Sequence, residues 1–390
     1  MQEKKKCLFV MPNLLGGGAE RVLVNLLRHL DDQRFECTLF LFESKGVYLK
    51  QLPKNIKIVS AGNGGRFILR MPWILFLLLI QTRKHDVVIA ALELAPTYIC
   101  FLASALTNTP LVAWVHISLG EYFKRIGRIH EVISRFIYPH IKHIILASES
   151  TKKSFEQWLG KKNNGKIMVI PYAIDSSVYE MHVKNHNNVT LSVNSREPTI
   201  IAVGRLCDQK GFDILIRAHQ ILLKKGCIQR LLILGEGPAR PELEGLIAEL
   251  RLQETVRLAG FVSNPVEFMR QSTVFVLSSR FEGFGVVLVE AMLAGIPIIS
   301  TDCPDGPSDV LERGKYGVLV PVEDSNALAN AIEAMLRSPE MQLQYQAKCR
   351  GRANHYNPSL VANKWHALLR YVTNESLSTA AIVDNSQCGD

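Results

Sequence analysis

The sequence predicts an α/β protein with two Rossmann-like domains, each built on a doubly wound parallel sheet. The chain has 390 residues, more than one ordinary hydrophobic core accommodates. Short apolar runs alternate with stretches of helical length, which is typical of parallel strands joined by crossover helices. This alternation stops at the polar residues 181–198 and then begins again. A second sheet is therefore predicted after that linker.

Seven strands are predicted in the first domain and six in the second. The first set is 8–11, 37–42, 57–60, 86–92, 111–116, 143–147 and 167–172. The second set is 199–203, 230–234, 256–259, 274–277, 297–300 and 317–320. We predict domains at 1–185 and 186–355, a helix at 356–373 that returns to the first domain, and a disordered tail at 374–390.

Composition and cysteine usage indicate a folded protein of a reducing compartment. Apolar residues make up 47% of the chain and charged residues 21%, enough to form substantial cores. The eight cysteines are scattered, without a C-x-x-C pair, so neither disulfides nor structural zinc are expected. The first apolar run is interrupted by Pro12 and Asn13, which favours a core strand over a signal peptide. A cytoplasmic location follows as an expectation.

The net charge of +9 is unevenly distributed. Residues 1–195 contain 25 Lys and Arg against 14 Asp and Glu, so the first half holds the whole positive excess. A basic first half is suited to binding nucleic acid, an acidic small molecule or an anionic membrane. Residues 66–84 favour the membrane, because the apolar stretch 71–80 is flanked by arginines and a lysine. That stretch is too short to span a bilayer, and both an interfacial segment and a buried helix remain open.

A glycine-rich loop follows the first predicted strand. Gly16, Gly17 and Gly18 precede a predicted helix at 22–30. Glycines before a helix N-terminus let backbone N–H groups approach a phosphate, and the helix dipole favours the anion. The loop does not complete the G-x-G-x-x-G fingerprint, so a plain tight turn is the alternative.

Two cations follow the first strand of the second domain. Arg205 and Lys210 flank a short loop after Gly204. Cations in this position are able to bind a diphosphate and to stabilise the charge that develops as it leaves. Ordinary surface charge on a strand-to-helix loop is the alternative interpretation.

The strongest motif is residues 278–291. Glu282 lies in a Gly-containing loop after a strand, and Glu290 follows eight positions later on a helix. These carboxylates flank a helix N-terminus, where Glu282 is placed to accept hydrogen bonds from hydroxyls and Glu290 to reach a ribose. An ordinary helical glutamate is the alternative for Glu290, but its apolar neighbours argue that a buried carboxylate here needs a partner.

These motifs, in this order and spacing, resemble the retaining GT-B glycosyltransferases of family 4 over roughly residues 7–370. The resemblance implies the GT-B fold, with two domains facing across a cleft that binds a nucleotide-sugar. The implied donor contacts are Gly16, Gly17, Gly204, Arg205 and Lys210 at the diphosphate, Glu282, Gly283, Phe284 and Gly285 at the sugar, Glu290 at the ribose, and Phe261 and Val262 at the base. His116 is implied near the sugar, and the expected catalytic set is Glu282, His116, Arg205 and Lys210.

The resemblance also implies a mechanism. Family members retain anomeric configuration and react on one face of the sugar, with the leaving diphosphate taking the acceptor proton. The sequence offers no second carboxylate that clearly serves as a base. No Asp-x-Asp motif ends a strand, because Asp31–Asp32 follows a helix and Asp302 and Asp305 lie in a Pro-rich turn. Metal-independent transfer without a cofactor is expected.

Residues 303–307, Cys-Pro-Asp-Gly-Pro, resemble members that build lipid-linked oligosaccharides and surface polysaccharides. We therefore expect transfer of a hexosyl or N-acetylhexosaminyl residue from a UDP-sugar to a glycan or polyprenyl-diphosphate-linked acceptor. This reaction is expected on the cytoplasmic face of the inner membrane. A nucleotide-sugar epimerase on the same scaffold is an alternative that needs no acceptor. Nucleic-acid binding is disfavoured because aromatic residues are not interleaved with the charges. The incomplete glycine fingerprint disfavours a dinucleotide oxidoreductase.

Overall fold

The computed structural model describes residues 3–64, 66–160, 166–175 and 197–373, apart from the side chains of residues 67, 125, 126 and 350. The chain divides into two compact units. The first unit comprises Met1–Ala173 and Asn357–Asp390, and the second comprises Ile174–Tyr356. The predicted domain boundary at 185/186 and the predicted tail at 374–390 lie outside the described residues.

The first unit contains a seven-stranded parallel sheet. Its strands are β1 (Lys5–Met11), β2 (Phe35–Leu41), β3 (Lys57–Ser60), β4 (Val87–Ala90), β5 (Leu111–Trp114), β6 (His143–Leu146) and β7 (Lys166–Val169), in the order β3-β2-β1-β4-β5-β6-β7. Strands β4 and β5 are buried throughout, which explains their continuous apolar sequence. The strand order reverses between β1 and β4. Open α/β sheets bind ligands at the carboxyl ends of the strands at such a point.

Six helices of this unit connect its strands or extend its loops. They are α1 (Gly18–His29), α2 (Phe67–Thr82), α3 (Ala95–Thr107), α4 (Leu119–Ile126), α5 (Arg128–Ile137) and α6 (Glu149–Leu159). Helix α2 corresponds to the predicted segment 66–84. It buries Ile74 and Leu78 and exposes Trp73 and Phe76, so the helix is packed on one side only. Among the helices of the described ranges, none is both long enough and apolar enough to cross a bilayer.

The second unit contains a six-stranded parallel sheet. Its strands are β8 (Thr199–Val203), β9 (Arg230–Leu234), β10 (Val256–Leu258), β11 (Val274–Leu277), β12 (Ile298–Thr301) and β13 (Val318–Val320), in the order β10-β9-β8-β11-β12-β13. Its helices are α7 (Phe212–Lys224), α8 (Arg240–Glu249), α9 (Pro265–Arg270), α10 (Val286–Ala294), α11 (Pro307–Val310), α12 (Ser325–Arg337) and α13 (Pro339–Ala353). The order reverses between β8 and β11. This is the switch point of the second sheet.

The last described helix, α14 (Pro358–Thr373), belongs to the first unit. Its Trp365 is fully buried, with ring centroids 4.6 Å from Trp114 and 6.4 Å from Phe9. Nε2 of His366 accepts a hydrogen bond of 3.0 Å from the backbone N–H of Asp31. These contacts fix α14 against α1 and the central strands. The first unit is therefore completed by residues from the end of the chain.

Candidate active site

Two loops lie side by side at the switch point of the second unit. Strand β8 leads through Gly204 and Arg205 to a 3₁₀ turn at Asp208–Lys210, and β11 leads through residues 278–285 into α10. Because β8 and β11 are neighbours, both loops leave the same carboxyl edge. The structure thus brings together the two motifs that the sequence places 72 residues apart.

An ion pair joins these loops. Nζ of Lys210 lies 2.5 Å from Oε1 of Glu282, and their side chains are 17% and 7% exposed. The hydroxyl of Ser279 donates to the same carboxylate oxygen over 2.6 Å. A buried charge is tolerated when it is paired and hydrogen-bonded. The buried carboxylate of Glu282 therefore depends on Lys210 and Ser279. The pair fixes the orientation of Glu282.

Backbone contacts hold the loops in register. The N–H of Arg280 donates to the carbonyl of Gln209 over 2.8 Å, and Nε2 of Gln209 donates to the carbonyl of Phe281 over 3.0 Å. The hydroxyl of Ser278 donates to the carbonyl of Lys210 over 2.9 Å. Gly211 has a φ of 57°, and a Cβ there would lie 2.2 Å from the carbonyl oxygen of Ser278. Only glycine permits this close approach.

The Arg280 side chain ties the same loops to a third segment. Its guanidinium donates to both carboxylate oxygens of Asp213 over 2.9 and 2.8 Å, to Glu323 over 2.5 Å and to the carbonyl of Asp208 over 2.7 Å. Hydrogen bonds to Asp213 raise the pKa of Arg280 above its usual value. No sequence pattern predicts this role, because Arg280 resembles any charged loop residue until its partners are known.

Residues 278–285, the loop between β11 and α10, are supported by two neighbouring segments. Gly285 caps α10 with a φ of 82°, and Phe284 packs edge-on against Tyr356 with ring centroids 5.5 Å apart. Gly306, with a φ of 65°, approaches Phe284 so closely that a Cβ would lie 2.6 Å from its Cα. The turn at residues 303–307 therefore contacts the Phe284 loop directly. The sequence of that turn was interpreted only as an indication of the acceptor class. Its contact with the Phe284 loop was not predicted.

The remaining residues expected in the second unit lie at the same sheet edge. Gly204 lies beneath the Lys210 side chain, whose Cδ is 3.2 Å from the position of a Cβ. Arg205 is exposed and, within residues 197–373, its side chain forms no ion pair. Glu290 is buried on α10, and Gly283 lies in the loop before it. Phe261 is 46% exposed beside Val262, after β10 and two strands away from β8.

In the first unit, the glycine loop leads into α1. Gly16 has a φ of 133°, and Gly17 is the N-cap residue. A Cβ on Gly17 would lie 2.2 Å from a carboxylate oxygen of Glu20. The Glu20 side chain thus lies against the backbone that the sequence predicts as a phosphate contact. Sequence reasoning did not predict this acidic neighbour.

His116 follows β5 and is engaged on both ring nitrogens. A carbonyl only accepts hydrogen bonds, so Nε2 carries the proton and donates to Ala91 over 3.1 Å, while Nδ1 accepts from the Tyr172 hydroxyl over 2.8 Å. Burial lowers the pKa of His116 to about 3, so the ring is neutral at neutral pH. The expected sugar contact remains a prediction, and it requires one of these bonds to be exchanged.

Glu93 lies next to this histidine at the switch point of the first sheet. Its Oε2 accepts a hydrogen bond of 3.1 Å from the backbone N–H of His116. Burial raises the pKa of Glu93 to about 7, and Glu20 contributes in the same direction. The next residue, Leu94, has a φ of 62°, which is strained for a side chain of this size. Sequence reasoning missed Glu93 because it lies inside an apolar run.

Two family models match this chain, one for each half. The model described as "Glycosyltransferase Family 4" matches residues 16–178, and "Glycosyl transferases group 1" matches residues 184–352. The chain is a GT-B glycosyltransferase of the group 1, family 4-like type. Both models include a motif described above, the glycine loop in one and the Lys210 and Glu282 loops in the other. The expectation that this protein is a glycosyltransferase is therefore confirmed.

Curated relatives of this glycosyltransferase extend over nearly its whole length. The N-acetylgalactosamine-N,N'-diacetylbacillosaminyl-diphospho-undecaprenol 4-alpha-N-acetylgalactosaminyltransferase of Campylobacter jejuni is 26% identical over 90% of this chain and 95% of its own. The amylovoran biosynthesis glycosyltransferase AmsD of Erwinia amylovora is 22% identical over 90% of this chain and 96% of its own.

Solved structures confirm the predicted fold. HepE of Anabaena, in complex with UDP and glucose, has a TM-score of 0.78 at 20% identity and covers 94% of this chain and 99% of its own. Sucrose-phosphate synthase of Thermosynechococcus elongatus has a TM-score of 0.81 at 18% identity, covering 96% and 100%. At these identities the likeness establishes the GT-B fold of the glycosyltransferase.

Proposed function

We propose that this glycosyltransferase moves a hexosyl or N-acetylhexosaminyl residue from a UDP-sugar to a polyprenyl-diphosphate-linked glycan, with retention of anomeric configuration. The observation that carries the proposal is the cluster of Lys210, Glu282 and Ser279 beside the N-terminus of α10. It places a cation, a fixed carboxylate and the N-terminus of a helix at one sheet edge. A sugar diphosphate requires these groups together.

The diphosphate is assigned to the cations. Arg205 extends into solvent at the start of the loop, and Lys210 lies at its end. When the sugar leaves, negative charge grows on the diphosphate, and both cations together with the α10 dipole stabilise it. Gly16 and Gly17 are assigned to the same group. Since cationic side chains and a helix N-terminus stabilise the negative charge of the diphosphate, we propose transfer without a metal ion.

The nucleoside is assigned to Glu290 for the ribose and to Phe261 and Val262 for the base. Glu290 is buried on α10, and Phe261 presents an exposed ring on which a base can stack. HepE, a protein of the same fold, contains UDP and UDP-glucose in its crystal structures. This supports uridine as the base of the donor.

Retention is proposed from the role of Glu282. Its Oε1 already accepts hydrogen bonds from Lys210 and Ser279, which suits a residue that orients the sugar rather than one that attacks it. The acceptor then reacts on the face from which the diphosphate leaves, and the diphosphate takes its proton. The N–H groups of Gly283, Phe284 and Gly285 are assigned to the transferred sugar, and His116 is assigned as a further sugar contact.

The acceptor and location rest on different support. The Campylobacter relative is named for an undecaprenol-diphosphate-linked substrate, and residues 303–307 resemble members that act on such acceptors. The basic first half suits an anionic bilayer. We propose peripheral attachment to the cytoplasmic face of the inner membrane and no role in nucleic-acid binding.

The test is turnover of a panel of UDP- and GDP-sugars by the full chain, with a membrane lipid extract as acceptor and EDTA present. Lys210→Ala should reduce acceptor-dependent nucleotide release by about 100-fold, because it removes a charge from the transition state. Lys225→Ala is the matched control. That lysine also pairs with a glutamate of the second unit, Glu333, but it lies just after the last residue of α7. Its variant should retain wild-type turnover.

Each alternative has its own outcome. Nucleotide-sugar conversion without acceptor would indicate an epimerase. Loss of turnover in EDTA would contradict metal-independent transfer, and preference for a GDP-sugar would contradict the uridine assignment. An inverted anomeric configuration in the product, read from its proton NMR coupling, would contradict retention. Equal turnover of the two lysine variants would contradict the site.

A further inference from the structure

The outer side of α2 is apolar and uncovered in the first unit. Ile68 and Leu69 are 80% and 77% exposed, and Trp73 and Phe76 are each about half exposed. The helix contains Arg70 but no acidic residue. A solvent-facing helix normally places polar residues on this side. The first half of α2 does the opposite.

Helix α5 shows the same inversion. Ile129, Val132 and Phe136 are exposed and follow each other at spacings of three and four, so they share one side of the helix. Arg128 and Arg135 are exposed beside them. The opposite side buries Ser134 and Ile137 against the unit. Helix α5 therefore presents apolar residues on its outer side as well as on the side that packs against the core.

Helix α3 joins the two. It packs against both α2 and α5, and the Tyr98 hydroxyl binds Ser134 over 2.8 Å. It contains no charged residue, and it exposes Leu102 and Leu106. Of 17 exposed large apolar residues in the described chain, ten lie on these three helices and three in the second unit. Apolar surface concentrated in this way marks an interaction site.

We infer that the outer surface of α2, α3 and α5, the three-helix face, lies on an anionic lipid bilayer. Cations border it: Arg66 before α2, Arg83 and Lys84 after it, and Arg128 at the start of α5 are exposed. An apolar centre with basic borders and a tryptophan matches the acyl and headgroup layers of an anionic membrane. No described helix is able to span the bilayer, so the contact is interfacial.

The position of the face agrees with a lipid-linked substrate, a step that rests on the proposed function. A helix that follows a parallel strand begins at the carboxyl edge of the sheet. The exposed apolar residues of α2 lie between positions 68 and 76, in the N-terminal part of the helix. They therefore lie towards the sheet edge that also holds Gly17, Glu93 and His116. Leu15, in the glycine loop, is exposed there as well. A polyprenyl acceptor thus reaches this edge while its chain stays in the bilayer.

The first experiment is vesicle flotation of the full chain, without donor or acceptor. Wild type should float with vesicles of phosphatidylcholine and phosphatidylglycerol, and the triple variant Ile129→Ser, Val132→Ser, Phe136→Ser should bind about tenfold or more weakly, because three apolar side chains no longer insert. The matched control is Ile228→Ser with Leu343→Ser. Those residues are 72% and 66% exposed but belong to the second unit. The control should bind like wild type.

The second experiment tests the charge. Arg66→Gln with Arg128→Gln should weaken flotation with the phosphatidylglycerol vesicles and leave residual binding to pure phosphatidylcholine unchanged. Equal flotation of wild type and the triple serine variant would overturn the inference. So would a wild-type dimer in light scattering that the triple variant converts to a monomer while neither protein floats, since the face would then be an interface between copies.

The flotation experiments and the turnover test of the proposed function can succeed or fail independently of each other. Flotation uses no nucleotide-sugar, so it reports on the face alone. If the triple variant loses flotation but wild type transfers no sugar, the face is a membrane surface and the proposed reaction fails. If wild type transfers sugar to lipid extract without floating, the reaction stands and the three-helix face is wrong.

Discussion

Arg280 contacts three separate segments of the second unit, and it acts by holding them in a fixed arrangement. Its fork binds Asp213 at the start of α7, Glu323 before α12 and the carbonyl of Asp208 in the Lys210 turn. Lysine keeps the positive charge but not the planar, two-pronged donor set. Arg280 therefore positions the Lys210 turn against the Glu282 loop.

We predict that Arg280→Lys lowers kcat by about tenfold or more with little change in the KM for the donor, because transition-state alignment is lost while the cations remain. Arg352→Lys is the control. Arg352 is likewise 13% exposed, pairs with Glu312 and donates to the carbonyls of Val310 and Asp309. Both variants should lower the Tm, but only Arg280→Lys should lower kcat at temperatures well below it. Parallel losses in both would make Arg280 a purely structural residue.

The sequence predicted the residues that a motif identifies and missed those that only contacts reveal. Lys210 and Glu282 stand out in the sequence because each follows a strand at a recognisable spacing, and their roles remain predictions. Their pairing was not, since it depends on β8 and β11 becoming neighbours. Ser279 and Gly306 act through the Glu282 oxygen and the Phe284 backbone, and neither contact leaves a pattern in the linear sequence.

At the scale of elements, apolar runs located the strands, but several runs continue beyond the carboxyl end of the strand. The run 86–92 predicts one strand, yet β4 ends at Ala90 and β5 ends at Trp114 rather than at residue 116. The residues beyond those ends turn away to place Glu93 and His116 together. An apolar pattern reports burial, and the loop residues Ala91 and Val115 are as buried as the strands. Hydrophobicity alone therefore does not separate strand from site.

The burial of Glu93 and His116 predicts a pH dependence of stability. Glu93 has a pKa of about 7 in the folded protein, above its ordinary value of 4.5. The folded state then binds the proton more tightly than the unfolded state, so this group's stabilisation is complete below pH 4.5 and is lost as pH rises through 7. His116, with a pKa of about 3, has the opposite effect, and its contribution is lost as pH falls from 6.5 through 3.

Glu93→Gln isolates the first effect. Glutamine retains an oxygen for the His116 N–H but does not ionise, so at pH 8 the variant should have the larger free energy of unfolding, by up to about 3 kcal/mol. At pH 4 the two proteins should be equally stable. Urea unfolding at both pH values measures this, and the His116 contribution cancels in the difference. A difference that does not change with pH would show that Glu93 is ionised in the folded protein.

At the scale of the whole molecule, the two units have separate cores, but the first is not continuous in sequence. One core cluster includes Leu8, Ile74 and Trp158, and another includes Ile200, Leu215 and Met335. The restart of the strand pattern made the two sheets predictable. Helix α14 was predicted as a helix that returns to the first domain, whereas its particular contacts with Phe9 and Trp114 join residues more than 250 positions apart and leave no pattern in the sequence.

The discontinuity predicts which part of the protein a cavity in α14 will loosen. Trp365→Ala removes a fully buried ring and should destabilise the first unit by roughly 3–5 kcal/mol. Because cooperative units open separately, amide exchange should accelerate in β1 and β5 while β8 and β11 stay protected. Met335→Ala, in the core of the second unit, should destabilise that unit by roughly 2–5 kcal/mol. Amide exchange should then accelerate in β8 and β11 while β1 and β5 stay protected. Hydrogen exchange with peptide-level mass spectrometry measures both variants. Uniform acceleration across both sheets in either variant would mean that the whole chain unfolds as one cooperative unit.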